Sequence, residues 1–286
     1  MEWLLSFLRT ILPFAWTDYD FMLYALLAVV LITPLFGLVG TMVVNNRLSF
    51  FSDALGHSAL TGIAIGVLLG IQNYILSMLL FAVLFALSIS EVKNSQVSSP
   101  DTIIGVFSST AMALGIVLLS KGGGFSKFSS FLIGDILSIQ PGNIIMLAIL
   151  LLCVLAAWAL LYNRLILVSL NPSLAASRGI PVRMIERLFI LIVAVIVTVS
   201  IQWVGILIIN SLLVLPAASA RNVAHGAKSN ALIAVLFSVV SGVSGLILSY
   251  YLDSSAGGTI VLVSAVIFIV TFLIHQFGRR GMASRI

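Results

Sequence analysis

Long apolar runs separated by short polar stretches divide this chain into nine segments. They lie at about 21–44, 48–70, 74–92, 101–120, 142–163, 185–202, 204–220, 229–251 and 257–277. A helix needs about 20 apolar residues to cross a bilayer, and lipid offers no hydrogen-bond partners for open backbone groups. Strands of a membrane barrel would alternate polar and apolar residues, whereas residues 144–158 are apolar throughout. The pattern predicts an all-α integral membrane protein, a polytopic bundle of about nine transmembrane helices.

The sixth and seventh segments leave the number of spans open. The runs at 185–202 and 204–220 meet at Gln202, so they form either two short spans or one long bent segment. Nine spans are therefore predicted, with eight as the alternative.

The composition agrees with a membrane protein and excludes several other classes. Of the 286 residues, 61% are hydrophobic and 8% are charged, and the mean hydropathy is +1.23. A soluble domain carries about 25% charged residues, so the 14 basic and 9 acidic residues here are too few to cover a soluble surface. This excludes an ordinary soluble enzyme and a nucleic-acid-binding domain. The single cysteine, Cys153, excludes a disulfide framework within the chain.

The basic residues predict which side of the membrane each loop occupies. Eleven of the 14 fall on one side: Arg47, Lys93, Arg164, Arg178, Arg183, Arg187, Arg221, Lys228, Arg279, Arg280 and Arg285. Arg9, Lys121 and Lys127 fall on the other side. Because cytoplasmic loops carry the excess of Lys and Arg, the N-terminus is predicted outside and the C-terminus in the cytoplasm. An odd number of spans, such as nine, fits this orientation.

This orientation divides the chain into three parts. Residues 1–20 form an outer interfacial segment in which apolar residues recur at helical spacing, and a hydrophobic leader without a role is the alternative. Residues 21–277 form a single transmembrane domain, and residues 278–286 form a basic cytoplasmic tail.

The outer stretch 121–141 is too polar to span a membrane. It is predicted to fold back as a short helix against the outer mouth of the bundle. Its glycine run at 122–124 lacks the G-x-x-x-x-G-K-[ST] spacing of a phosphate loop. No other stretch resembles a nucleotide site, so any ATP that drives this protein binds to another chain.

Two ionisable residues within the second predicted span are candidates for function, because charge inside a membrane is costly. Asp53 and His57 are four residues apart, so they share one helix face, and Thr61 continues that row. A carboxylate and an imidazole at this spacing can contact a divalent transition metal. The alternative is that the two side chains bond each other or cap the helix.

A row of small residues runs beside this pair on the same span. Its members are Ser58, Gly62, Gly66 and Gly70. Small residues at four-residue steps let neighbouring helices approach closely. The second span is therefore predicted to be a close-packed helix that also lines a pathway.

Two further polar residues are possible pathway or outer-mouth residues. Asn210 lies in the middle of the seventh segment, where it either bonds across helices or faces a pore. Asp253 lies in an outer turn, where it either caps the next helix or contacts an incoming cation or a delivery protein.

The cytoplasmic stretch 169–181 has the start and stop signals of a short helix. Asn171-Pro172 suits a helix N-terminus, small residues follow, and Gly179 and Pro181 end it. A short helix exposed on the inner face suits docking into a groove of a partner protein, and a plain connector is the alternative.

Four motifs occur together in one order along the chain. They are Asp53-x-Leu-x-His57, Phe131-Leu-Ile-Gly-Asp-Ile-Leu137, Asn171-Pro-x-x-Ala-x-x-x-Gly179, and the stretch from Gly205 through Asn-Ser-Leu-Leu-Val-Leu-Pro-Ala-Ala-Ser-Ala-Arg221. With this topology the chain resembles the permease subunits of bacterial metal-uptake ABC transporters, the zinc/manganese/iron (ZnuB/MntB-like) family. The resemblance covers about residues 20–277.

The resemblance implies a type II ABC importer in the bacterial cell membrane. Two copies of the permease would form the pathway, two cytosolic ATPases would bind ATP, and an extracytoplasmic binding protein would deliver zinc, manganese or iron. Asp53 and His57 would be transient ligands of the ion. The ATPase would dock on the stretch 169–181, at Asn171, Pro172, Ala175 and Gly179. The chain itself would catalyse no reaction and hold no permanent cofactor.

Three departures from the family pattern bear on these expectations. Asn171 stands where family members often have an acid or a serine, in the stretch on which the ATPase would dock. Ser255 stands where zinc-type members often have a proline, in the turn that contains Asp253. Thr61 stands where manganese-type members often have a proline, which favours zinc.

The alternative function is a secondary metal transporter or channel that needs no ATPase. Pro34 and Pro216 would then mark broken helices, although no internal repeat supports this interpretation.

Overall fold

The computed structural model describes residues 2–95, 98–121 and 134–283, and within these ranges the chain is helical and contains no strand. The helices are α1 (Glu2–Ile11), α2 (Asp20–Asn45), α3 (Phe51–Leu68), α4 (Tyr74–Asn94), α5 (Pro100–Lys121), α6 (Pro141–Leu170), α7 (Pro172–Ser177), α8 (Val182–Val204), α9 (Ile206–Val223), α10 (Ala227–Tyr251) and α11 (Ala256–Ala283). Short 3-10 turns occur at Ala15–Asp18 and Ile136–Ser138. Most of the short helix predicted at 121–141 lies outside the described residues.

Nine of the described helices, α2 to α6 and α8 to α11, are long and apolar enough to cross a membrane. They correspond one to one with the nine apolar segments. The predicted all-α fold with nine spans is therefore confirmed over the described residues, and the chain is a multi-pass membrane protein.

The boundary between α8 and α9 lies at Gly205, and the prediction that the two runs meet at Gln202 is wrong. Gly205 has a φ of 80°, a conformation that favours glycine because a Cβ atom would clash with the backbone. Its N–H still donates to the carbonyl of Ile201, and α9 begins at the next residue. The positive φ separates two helices and rules out one long bent segment.

The two candidate helix breaks at proline are not breaks. Pro34 lies inside α2 and Pro216 lies inside α9, and both helices continue past the proline. Neighbouring helices and local adjustments allow proline inside transmembrane helices. The described chain therefore lacks the paired broken helices that would favour a secondary transporter.

The described residues cluster into two compact units. The single transmembrane domain expected over residues 21–277 stays a prediction. The first unit comprises the described residues within 1–41, 135–153 and 211–286, and the second comprises those within 42–134 and 154–210.

Close contacts at glycines hold the long helices of the first unit together. A Cβ atom built on Gly242 of α10 would lie 2.5 Å from Thr33 Cγ2 of α2. A Cβ atom on Gly245 would lie 2.5 Å from Ile260 Cα of α11. These separations leave room for a hydrogen atom only, so α10 packs directly against α2 and α11.

The N-terminal helix α1 is tied to the start of α2 within the same unit. Arg9 pairs with Asp20 at 2.6 Å and donates to the backbone carbonyls of Thr17 and Asp18. Trp3 and Phe7 stack with ring centroids 5.8 Å apart and remain exposed. The predicted N-terminal helix is present, and its position at the outer membrane surface stays a prediction.

The second unit is built around α3, which packs against α4, α5 and α8. A Cβ atom on Gly62 would lie 2.9 Å from Met78 Cα, and one on Gly66 would overlap Ser77. Ser58 is fully buried beside them. The fourth member of the predicted row, Gly70, lies beyond the end of α3 with a φ of 71° and open space around it. Gly70 is a turn residue, so its predicted role in helix packing is wrong.

Two ion pairs join the last turns of α4 to the first turns of α8. Lys93 Nζ lies 3.9 Å from Glu186 Oε1, and Arg187 pairs with Glu91. Because α7 immediately precedes α8 and contacts it, these pairs connect the region of α7 with α4.

Candidate functional site

Asp53 and His57 lie one turn apart near the start of α3, with their side chains turned toward each other. His57 Nε2 is 3.4 Å from Asp53 Oδ2, and the side chains are 27% and 46% exposed, respectively. The N-cap residue of α3 is Phe50, and no side chain caps the helix there. The alternative that these residues cap the helix is therefore wrong, while the contact between them is present.

Asn210 of α9 reaches the same carboxylate. Its Nδ2 donates a hydrogen bond of 2.7 Å to Asp53 Oδ1. Of the two alternatives for Asn210, the structure shows the bond across helices. The first turns of α9 approach α3 closely here, since a Cβ atom on Gly56 would lie 2.8 Å from the Ile206 side chain.

Asp53 and His57 face an open cavity of about 430 Å³ whose opposite wall is α5. The cavity is lined by Phe50, Asp53, His57, Asp101, Ile104, Gly105, Ser108, Ser109 and Met112. No sequence pattern predicted Asp101, Ser108 or Ser109 at this site. Asp101 follows Pro100 in the first turn of α5, where an acid already has a local explanation as a partner of the helix dipole. The sequence therefore contains no separate signal for its position in the cavity.

The site offers two ligand atoms of the kinds that transition metals prefer. A carboxylate oxygen and an imidazole nitrogen are common ligands of zinc and manganese. Within the described residues, no group of three or more His, Cys, Asp and Glu side chains is close enough to hold one ion together. In the part of the chain that the structure describes, the site therefore offers two candidate ligand side chains and no closed binding site.

Thr61 lies outside this cavity, although it continues the row of Asp53 and His57. It is fully buried, and its hydroxyl donates to the backbone carbonyl of Ala111 on α5. A Cβ atom on Gly115 would lie 2.8 Å from Thr61 Oγ1. Thr61 thus holds α3 against α5, and the expectation that it lines the pathway is wrong for this structure.

Asp253 lies in the exposed turn between α10 and α11, in the first unit. It has a φ of 46°, unusual for a residue other than glycine. Ser255 immediately precedes α11 and binds its first backbone N–H groups. The Ser255 Oγ accepts from the Gly258 N–H at 3.4 Å, and the Ser255 carbonyl accepts from the Thr259 N–H. Asp253 is therefore not the cap of the next helix, and a role for it at the outer face stays a prediction.

The stretch 169–181 contains the short helix α7, with the predicted start and stop. Asn171 Oδ1 accepts from the Leu174 N–H at 2.9 Å, and Pro172 occupies the first turn. Gly179 ends the segment with a φ of 75°. Asn171, Pro172 and Gly179 therefore shape the helix ends.

The side chains of α7 divide into an inner and an outer side. Ala175 is fully buried within the chain, so it cannot be the surface that a partner contacts. Leu174 is 42% exposed, and Ala176 and Ser177 are also exposed. An approaching partner would therefore meet Leu174, which the sequence analysis did not single out.

Comparison with known proteins finds similarity along almost the whole chain. The model of the ABC 3 transport family matches residues 18–275. The high-affinity zinc uptake system membrane protein ZnuB of Haemophilus influenzae is 30% identical over 254 residues, which cover 88% of this chain and 97% of that protein. The manganese import system permease protein ScaB of Streptococcus gordonii is 30% identical over 257 residues, covering 90% of this chain and 92% of that protein.

The fold is also shared with a solved structure. PsaBC from Streptococcus pneumoniae in complex with Fab matches with a TM-score of 0.78 and 26% sequence identity, covering 95% of each chain. The family model covers most of the chain, and the chain therefore belongs to the ABC 3 transport family.

Proposed function

We propose that this chain is the membrane-spanning permease subunit of an ATP-driven ABC importer for a divalent transition metal. Zinc is favoured, with manganese and iron as alternatives. The ion passes from a binding protein outside to the cytoplasm and contacts Asp53 and His57 on the way. Relatives named for zinc uptake and for manganese import support this cargo class.

The single observation that carries the proposal is the spacing of the two ligand atoms. His57 Nε2 and Asp53 Oδ2 are 3.4 Å apart, which is long for a strong hydrogen bond. Zinc binds such atoms at about 2.0–2.2 Å in a tetrahedral arrangement, which separates neighbouring ligands by about 3.4 Å. The separation of the pair is therefore compatible with two neighbouring ligands of one tetrahedral ion.

Two protein ligands suit an ion that must leave again. A closed site of four protein ligands binds zinc tightly, as structural zinc sites do, and would trap the ion in the membrane. With two protein ligands, water completes the coordination shell and exchanges as the ion moves. The exposed fractions of Asp53 and His57 provide that access.

ATP would be hydrolysed by a separate ATPase chain, since this sequence contains no phosphate-loop motif. In the type II arrangement, two copies of this chain bind two ATPases, each docked on an α7. Movement of α7 would pass to α8, and from there to α4 through the Lys93–Glu186 and Arg187–Glu91 pairs. Because α4 packs on α3 at Gly62 and Gly66, the movement reaches the helix that carries Asp53.

The proposed orientation follows the basic residues. With the N-terminus outside and the C-terminus in the cytoplasm, α7 lies on the cytoplasmic side, where an ATPase can reach it. Residues 1–20 would lie at the outer interface, residues 21–277 would form the permease domain, and residues 278–286 would form a basic cytoplasmic tail. Tagging each terminus and testing its accessibility in sealed vesicles checks the orientation.

The direct test is transport by the purified complex in liposomes. The chain is reconstituted with its ATPase, and uptake of radioactive Zn²⁺ and Mn²⁺ is measured with ATP inside or outside the vesicles and with binding protein present. We expect uptake to require ATP on the ATPase side. Equal transport by the chain alone, without ATPase and ATP, would instead establish the secondary transporter or channel.

The exposed side of α7 provides a test of ATPase docking. We expect Leu174→Asp to reduce co-purification of the ATPase at least about tenfold, because an apolar contact centre is replaced by a charge. Leu174→Met is the matched control, since it keeps an apolar side chain of similar volume. Ala175→Phe should also weaken docking, because it displaces α7 from the chain. Normal co-purification of the ATPase with the Leu174→Asp variant would show that the ATPase docks on a surface other than α7.

A further inference from the structure

The two oxygens of the Asp53 carboxylate have different surroundings. Oδ1 accepts the 2.7 Å hydrogen bond from Asn210 Nδ2. Oδ2 lies beside His57 Nε2 at 3.4 Å. The carboxylate is thus held from two directions by groups on two helices, α9 and α3.

Asn210 lies on the first turns of α9, where that helix packs on α3. It follows the helix break at Gly205 by five residues, and the preceding Ile206 side chain fills the space beside Gly56 on α3. Asn210 Oδ1 is buried and has no hydrogen-bond partner in the part of the chain that the structure describes. The amide therefore makes its one direct side-chain bond through Nδ2, to Asp53.

This bond occupies Oδ1 and leaves Oδ2 as the carboxylate oxygen beside His57. Without it, the Asp53 side chain can rotate and present either oxygen, or both, to the cavity. With Oδ1 engaged, Oδ2 lies toward His57, and the separation of the two candidate ligand atoms is compatible with neighbouring ligands of one ion. Hydrogen bonds to a ligating carboxylate fix its orientation, and their loss typically costs about 10–100-fold in metal affinity.

We propose that Asn210 is a positioning residue that orients Asp53 for metal contact. The inference rests on the proposed function, because it assigns Asn210 a role in the metal contact made by Asp53 and His57. Asn210 never touches the ion and acts through Asp53. It belongs to α9, so the orientation of the ligand also depends on how the start of α9 lies against α3.

The test separates positioning from a purely structural role. Zn²⁺ and Mn²⁺ binding are measured on the purified complex, and uptake is measured in liposomes over a range of ion concentrations. We expect Asn210→Leu to raise the dissociation constant and the KM about tenfold or more, while the maximal rate stays within about twofold. A structural defect would lower the maximal rate and the yield of the complex and leave the KM unchanged.

The matched control is another asparagine on the same helix. Asn222 Nδ2 also donates to a side chain of a neighbouring helix, Thr271 Oγ1 at 3.3 Å, within the first unit. Asn222→Leu removes a similar bond and should leave the KM unchanged. Asn210→Gln keeps the amide and should retain more affinity than Asn210→Leu.

The outcomes distinguish this inference from the proposed function. If wild type takes up metal and Asn210→Leu has a normal KM, the positioning role is wrong and the proposed function stands. If Asn210→Leu does not assemble, the KM of Asn210→Ala is measured in its place. A normal KM for that variant would likewise show that the positioning role is wrong. If wild type shows neither saturable Zn²⁺ or Mn²⁺ binding nor ATP-dependent uptake, the proposed function fails before Asn210 is considered.

Discussion

Replacing Asp53 or His57 with alanine is expected to reduce ATP-dependent metal uptake about 100-fold at low ion concentration. Each side chain supplies one of two candidate protein ligands, which lie 3.4 Å apart. Loss of a group that merely orients a metal ligand costs about 10–100-fold in affinity, so the loss of a ligand itself should reach the upper end of that range. Both residues are partly exposed to the cavity, so the fold should survive either change.

The measurement is initial uptake of radioactive Zn²⁺ or Mn²⁺ by the reconstituted complex, together with co-purification of the ATPase. His225→Ala is the matched control for His57→Ala, because His225 lies exposed in the turn between α9 and α10. We expect normal assembly in all variants and normal uptake in the control. Near-normal uptake by both Asp53→Ala and His57→Ala would show that the two side chains are not ligands in the transport pathway.

Replacing Gly62 with leucine is expected to have the largest effect on folding. Even a Cβ atom at this position would lie 2.9 Å from Met78 Cα and 3.2 Å from Phe81 Cβ. The nearest obstacle is backbone, so α4 must move away from α3. Overpacking a tight contact costs about 1–3 kcal/mol or more, and a cost of about 3 kcal/mol corresponds to a fall in Tm of roughly 10 °C.

The melting temperature of the purified chain in detergent measures this effect. Unfolding is monitored as the loss of the monodisperse peak in size-exclusion chromatography. Gly142→Leu is the control, because nothing lies within 4 Å of a Cβ atom at Gly142, in the first turn of α6. We expect Gly142→Leu to melt like wild type. A wild-type melting temperature for Gly62→Leu would show that α3 and α4 are not packed as the structure has them.

Features that depend on residues close together in the chain were predictable from the sequence. The nine spans follow from runs of apolar residues, which select a helix whatever lies beside it. The start of α7 was predictable because Asn171 caps a helix that begins at the next residue, Pro172, and accepts from the Leu174 N–H within one turn of chain. The row of Gly62 and Gly66 was predictable because small residues at four-residue steps share one helix face.

Other predictions failed where the answer depends on a neighbouring helix. Thr61 has the same spacing from His57 as His57 has from Asp53, yet its hydroxyl bonds Ala111 on α5. Gly70 continues the row of small residues, yet α3 has already ended before it. Ala175 matches the docking motif, yet it is buried against its own chain. Periodicity shows which residues share a face, but it does not show which helix that face meets.

By itself, the sequence determined the membrane class, the nine spans, the position of the short helix α7 and the Asp53–His57 pair, because each depends on hydrophobicity or on spacing within one helix. Only the tertiary structure decided that Asp101 shares the cavity of that pair and that Asn210 holds one oxygen of Asp53. Asp53 and Asn210 are 157 positions apart in the chain. Their contact arises from the packing of α9 against α3, and no local pattern along the chain encodes it.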